Sequence, residues 1–256
     1  MIRIEYDPQL VEHSVLLAVR SDASAERELH KTIDPFYEVQ DAEQREKAFV
    51  QAFAEWFDRL SLGRMIHELV AQRPLISDMV QRCVIREAHR RRAEGAELCI
   101  QGGGSERIPP SRTVVIQLCP ESVVAPQRAG AHLRRELLHI SDMLDGGFGY
   151  EPRAFVGSLP AENLIRDRYR CLWSTYVEGR LVREGEMPPR GADVRAAECH
   201  RVFGKPGVGG GGAAFEVAFN AGYLTHGELL DWARRPEGLC DSAGGVPTES
   251  AADVVL

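Results

Sequence analysis

Residues 132–145 read His132-Leu133-Arg134-Arg135-Glu136-Leu137-Leu138-His139-Ile140-Ser141-Asp142-Met143-Leu144-Asp145. Leu133, Leu137, Ile140 and Leu144 recur at helical spacing and make an apolar stripe, while His132, Glu136, His139 and Met143 fall on the adjoining stripe. The pattern predicts a buried helix with one polar face. Pro120 and Pro126 precede it and Gly146-Gly147 stop it, because proline suits a first helical turn and glycine suits the end.

Residues 135–139 differ at one position from the HExxH pattern that binds zinc. In that pattern two histidines four residues apart lie about 40° apart around the helix and one turn along it, so both imidazoles reach one ion. The glutamate between them is a general base that acts on the metal-bound water. Glu136 and His139 hold the second and last positions, which makes Glu136 the candidate catalytic residue and His139 a candidate metal ligand. Arg135 holds the first, and a guanidinium that stays protonated offers no lone pair. His132 shares the polar face but stands seven residues from His139, about 10.5 Å along the axis. Asp142 is either a further ligand or a partner that orients the His139 imidazole. The spacing of Glu136 and His139 also matches half of a di-iron carboxylate motif, yet no second copy stands in matching context.

Outward from this helix, residues 97–101 and 112–118 are short and apolar or β-branched, and read as strands of one small sheet. Residues 2–6 alternate like a strand; residues 10–19 are compatible with strand or helix. From Asp41 a helix brings Phe49, Phe53 and Trp56 to one face and ends at Gly63. Residues 64–72 and 75–94 read as two helices separated by Pro74. The second carries Arg82, Arg86 and Arg90 to Arg92, a run read as a solvated face more readily than as a phosphate site, since no aromatics interleave it.

A further helix is expected over 161–184, with Ile165, Tyr169, Leu172 and Tyr176 on one face and Asp167, Cys171, Ser174 and Glu178 on the other. Thr225 and Glu228 form a capping box that opens a short helix. Residues 207–212 match a glycine-rich phosphate motif in form only and read as a linker. Residues 235–256 read as a flexible tail.

The chain has 256 residues, a formal charge of −7 and 44% hydrophobic residues. That composition is globular, and the negative charge argues against a nucleic-acid partner. No apolar run is long enough to span a membrane and the first residues lack a secretory pattern, so a cytoplasmic location is expected. The six cysteines are scattered, without a CxxC pair, and read as reduced, mostly structural thiols.

The run 133–145, followed by Phe148-Gly149-Tyr150, resembles the active-site helix of zincin-like metallopeptidases, including a poorly characterised bacterial group with a similar ending. The resemblance covers about 70 residues, from 112 to 183. It implies an α+β, helix-dominated zincin-like domain over 1–190 with a small β-sheet beside the motif helix, then an extension over 191–234. It also implies a zinc cofactor and a third ligand from the later helix, where Glu178 fits best; the alternative is that Glu178 faces water. Two functions follow from the resemblance: metal-dependent peptide hydrolysis, or a catalytically inactive zincin fold that binds a peptide or protein partner, with Arg135 partly replacing the lost metal charge. A third reading is an interaction protein whose arginine-rich segment meets an acidic partner.

Overall fold

The computed structural model describes residues 2–102, 111–152, 160–188, 191–204 and 210–239. The fold is α+β and dominated by helix. The chain divides into two compact units, Met1–Leu144 and Asp145–Leu256. The division falls beside Gly146-Gly147, ahead of the boundary at 190 that the sequence suggested.

The first unit opens with β1 (Arg3–Tyr6), α1 (Pro8–Val19), α2 (Ala23–Ile33), α3 (Ala42–Arg59), α4 (Arg64–Ala71) and α5 (Pro74–Met79). Three aspartates set the helix starts: Asp7, Asp22 and Asp41 each accept a backbone N–H of the first turn of α1, α2 and α3. Residues 10–19 are therefore helical. Strand β2 (Arg82–Glu87) follows, then β3 (Gly95–Gln101) and β4 (Ser111–Leu118). The sheet order is β1-β2-β4-β3, with β3 antiparallel to β4 and the other neighbours parallel. Helices α6 (Pro120–Val124) and α7 (Pro126–Leu144) complete the unit.

The helix expected over 75–94 is corrected: α5 ends at Met79 and β2 begins at Arg82. Cys83 and Ile85 are fully buried while Arg82 is exposed, a period of two rather than 3.6. The backbone partners of β2 are β1 and β4, remote in sequence, so a local pattern dense in arginine hides the strand. Arg82 lies across the sheet from β1 and donates to Glu5 at 2.7 Å. Cys83, Ile85, Val114, Ile116 and Leu118 form the buried face of the sheet, against a core that includes Leu10, Ile66, Ile76, Leu133, Leu137 and Ile140. The apolar stripe of α7 is thus part of the main core.

The second unit contains α8 (Pro160–Arg183), α9 (Ala192–Phe203), α10 (Gly211–Asn220) and α11 (His226–Arg234). Tyr169, Leu172 and Tyr176 are buried as the spacing predicts, but Cys171, Thr175 and Glu178 are buried too, so the second half of α8 is a central helix. Close approach needs glycine here: a Cβ at Gly179 would run into the Phe219 carbonyl at the end of α10, and one at Gly211 into the backbone of His200 on α9. Gly211 and Gly212 belong to α10, which corrects the linker reading for those two residues; positions 205–209 lie outside the described residues. Of the tail expected from 235, positions 240–256 also lie outside them. The capping box stands as expected, with Thr225 Oγ1 accepting from Glu228 N and Glu228 Oε2 from Thr225 N.

Candidate functional site

Strand β3 is one of the two edge strands of the sheet, and α7 packs beside it. The polar face of α7 meets the strand through Glu136 and His132. The Ala96 backbone N–H is turned toward the Glu136 carboxyl and lowers it. One turn earlier, His132 Nε2 lies 3.1 Å from the Glu94 carbonyl oxygen. A carbonyl only accepts, so the geometry places a proton on Nε2 and turns Nδ1 toward Glu136 Oε1, 3.8 Å away. Burial pushes the Glu136 carboxyl above its ordinary range, against the opposing pull of His132, Arg135 and the Ala96 N–H. A cavity of about 370 Å³ opens at this point, lined by Glu136, Arg92, Glu94, Glu97, Val115 and Gln117.

Because Ala96 points its N–H at Glu136, that amide faces away from β4. Amide directions alternate along a strand in an antiparallel pair, so Leu98 and Ile100 also turn their N–H groups outward. Among the described residues, β3 makes no backbone hydrogen bond beyond its ladder with β4, and Ile100 is exposed. Among the described residues, the side of β3 away from β4 is bordered by α7 and carries no further strand.

The predicted site residues fall in both units. Glu136, His139 and Asp142 lie on α7; His139 is half-buried and Asp142 buried. Glu178 lies on α8 in the second unit, with a side chain fully excluded from solvent, so the water-facing alternative is corrected. Its carboxylate rests against Gly191, the residue that caps α9, and lies 3.9 Å from the Arg195 guanidinium in the first turn of that helix. A helix N-terminus and a guanidinium both favour an anion, so the carboxylate is compensated by its own unit. Asp167 on the same helix is exposed.

The donor set does not fit the zinc ion that the resemblance implies. Arg135 occupies the position of the first imidazole, Glu136 is engaged by Ala96, and Glu178 is engaged by Arg195. Among the described residues, no group of three or more His, Cys, Asp or Glu side chains is placed to hold a metal ion. What α7 offers instead is a carboxyl and an imidazole one turn apart against a strand edge. Sequence reading weighed His132 only as a substitute ligand and missed its pairing with Glu136. The four-residue spacing was the available signal, since side chains at i and i+4 share a helix face.

No family model matches the chain, and neither a curated protein nor a solved structure matches it. Among the described residues, no helix is long and apolar enough to cross a membrane.

Proposed function

We propose that this protein is a zincin-like scaffold that binds an extended peptide segment along the outer edge of β3, without metal-dependent hydrolysis. The reading rests on one observation: the Glu136 carboxyl holds an outward amide of an edge strand whose next outward amides, Leu98 and Ile100, carry no backbone partner among the described residues. An edge of this kind recognises a peptide by main-chain hydrogen bonds, and the cavity beside Glu136 takes one of its side chains. Arg135 and His132 both pull the Glu136 carboxyl down against the push of burial. A peptide or protein partner and a cytoplasmic location belong to the same reading.

Selection of linear peptides against the full chain tests it. Peptides should emerge that protect the Leu98 and Ile100 amides from hydrogen exchange, and Ile100→Pro should abolish their binding while leaving the β4 ladder intact, because proline on the open side removes only the outward donor. Selected peptides that bind Ile100→Pro as well as the parent overturn the proposal. Hydrolysis is the second reading, favoured by the position of Glu136 at the cavity. Stoichiometric zinc uptake by the parent chain, lost in His139→Ala and accompanied by peptide cleavage, would establish it in place of the scaffold.

A further inference from the structure

The second unit buries a pair of thiols that the proposed peptide site does not use. Cys171 on α8 and Cys199 on α9 hold their sulfur atoms 3.3 Å apart. Both residues are buried, at 2% and 0% exposure. Thr175, one turn after Cys171, donates its hydroxyl to the Cys171 carbonyl at 2.8 Å and stands 3.5 Å from the Cys199 sulfur. A disulfide has sulfur atoms about 2.05 Å apart, so closing this pair needs the sulfurs to approach by about 1 Å. The two positions are 28 residues apart in the chain, and a bond between them would restrict a long loop of the unfolded chain.

We infer that Cys171 and Cys199 are a redox pair that closes to a disulfide between α8 and α9 when the oxidant is a small peroxide. The two sulfurs are not equivalent. Either sulfur can donate in this contact; with Cys171 as the donor, the Cys199 thiol falls below its ordinary range and that of Cys171 rises. In that arrangement Cys199 is the nucleophile and Cys171 the resolving thiol. The Cys199 thiolate attacks one oxygen of hydrogen peroxide; the O–O bond breaks, and hydroxide leaves and is protonated to water. The Cys199 sulfenic acid that remains is attacked by Cys171, whose proton goes to the departing oxygen as the S–O bond breaks and a second water leaves. In sum, two thiols and one peroxide give one disulfide and two waters.

The location gives the bond a structural consequence. Arg195, the partner of Glu178, lies one turn before Cys199 on α9, and Glu178 lies two turns after Cys171 on α8. A covalent bond on this seam ties α9 to α8 beside the Glu178 carboxylate, so the oxidised form holds Arg195 over Glu178 more tightly than the reduced form.

Treatment of the full chain with hydrogen peroxide, followed by denaturation, alkylation and peptide mapping, decides the matter. The alkylatable thiols should fall from the six of the sequence by two, with one cross-linked peptide joining Cys171 to Cys199. The melting temperature should rise by about 5 °C and return on reduction. In Cys171→Ser, which keeps a donor beside Cys199 but no resolving thiol, the chemistry should stall at a Cys199 sulfenic acid that a dimedone probe traps, and no rise in melting temperature should follow. An unchanged thiol count, or a cross-link between any other cysteines, overturns the inference. Mapping of the parent chain alone separates these outcomes, even where a variant fails to fold.

Discussion

His132 and Glu136 stand one turn apart on α7, with Nδ1 3.8 Å from Oε1, and both reach for the backbone at the start of β3. The pair couples the chemistry of the helix to the position of the strand. Holding Glu136 half-buried costs its charged form solvation, and the nearby imidazole offsets part of that cost.

The Glu136 carboxyl is raised above 4.5 by burial, so the folded state binds its proton more tightly than the unfolded state. Its contribution to stability is therefore present below the ordinary value and is lost as pH rises through the raised one. Since His132 pulls the value down, His132→Ala should raise it further and move that loss to higher pH. Carboxyl titration by carbon NMR in the two proteins measures it, and an equal or lower value in the variant would refute the pairing.

Glu178 and Arg195 make a second prediction. Arg195→Ala leaves a carboxylate of zero exposure with one cationic partner fewer and should destabilise the second unit by about 2–3 kcal/mol, under the full cost of a stranded buried charge because the α9 N-terminus remains. Gly191→Ala should cost about 1–3 kcal/mol by forcing a methyl into the same carboxylate. Denaturant unfolding checks both.

Gly179 separates helix propensity from packing. In an isolated helix alanine there gains roughly 1 kcal/mol over glycine. At this position the new methyl meets the Phe219 carbonyl, a backbone group that cannot rotate away, so packing wins and Gly179→Ala should lose about 2–3 kcal/mol net. An increase in stability would mean that α8 and α10 are not packed as described.

His226, the first residue of α11, accounts for an acid-sensitive element. Its ring is 4% exposed, lies 2.7 Å from the Tyr169 hydroxyl through Nδ1, and packs with the rings of Tyr150 and Tyr169. Burial lowers it below its ordinary 6.5, against the pull of Glu151 and with the push of Arg234. The unfolded chain then binds the proton first, so stability is full above 6.5 and is lost as pH falls through the lowered value. Thermal melts between pH 7 and 5 should show this decline, and His226→Gln should flatten it.

Much of the local structure was legible in the sequence because its causes are local. The α7 stripe of Leu133, Leu137, Ile140 and Leu144, the Thr225–Glu228 capping box and the strands β3 and β4 each follow from residues within a turn or a hairpin of one another. The same reasoning misread 82–87, where the parallel neighbours β1 and β4 lie far along the chain and supply hydrogen bonds that no window reveals. It also left α9 and α10 unseen, since their small residues carry no strong period and they pack closely on neighbours, α10 on α8 at Gly179 and on α9 at Gly211.

Residues 132–145 alone determined a helix with a core stripe and a polar stripe, and Arg135 alone ruled out the ordinary two-histidine zinc site. Which strand the polar stripe would meet, that His132 would accompany Glu136 there, and that Glu178 would lie buried against Arg195 were decided by tertiary structure. The reason is physical: periodicity places a side chain on a face, but its partner comes from elements brought together by burying apolar surface, and those contacts are distant in sequence.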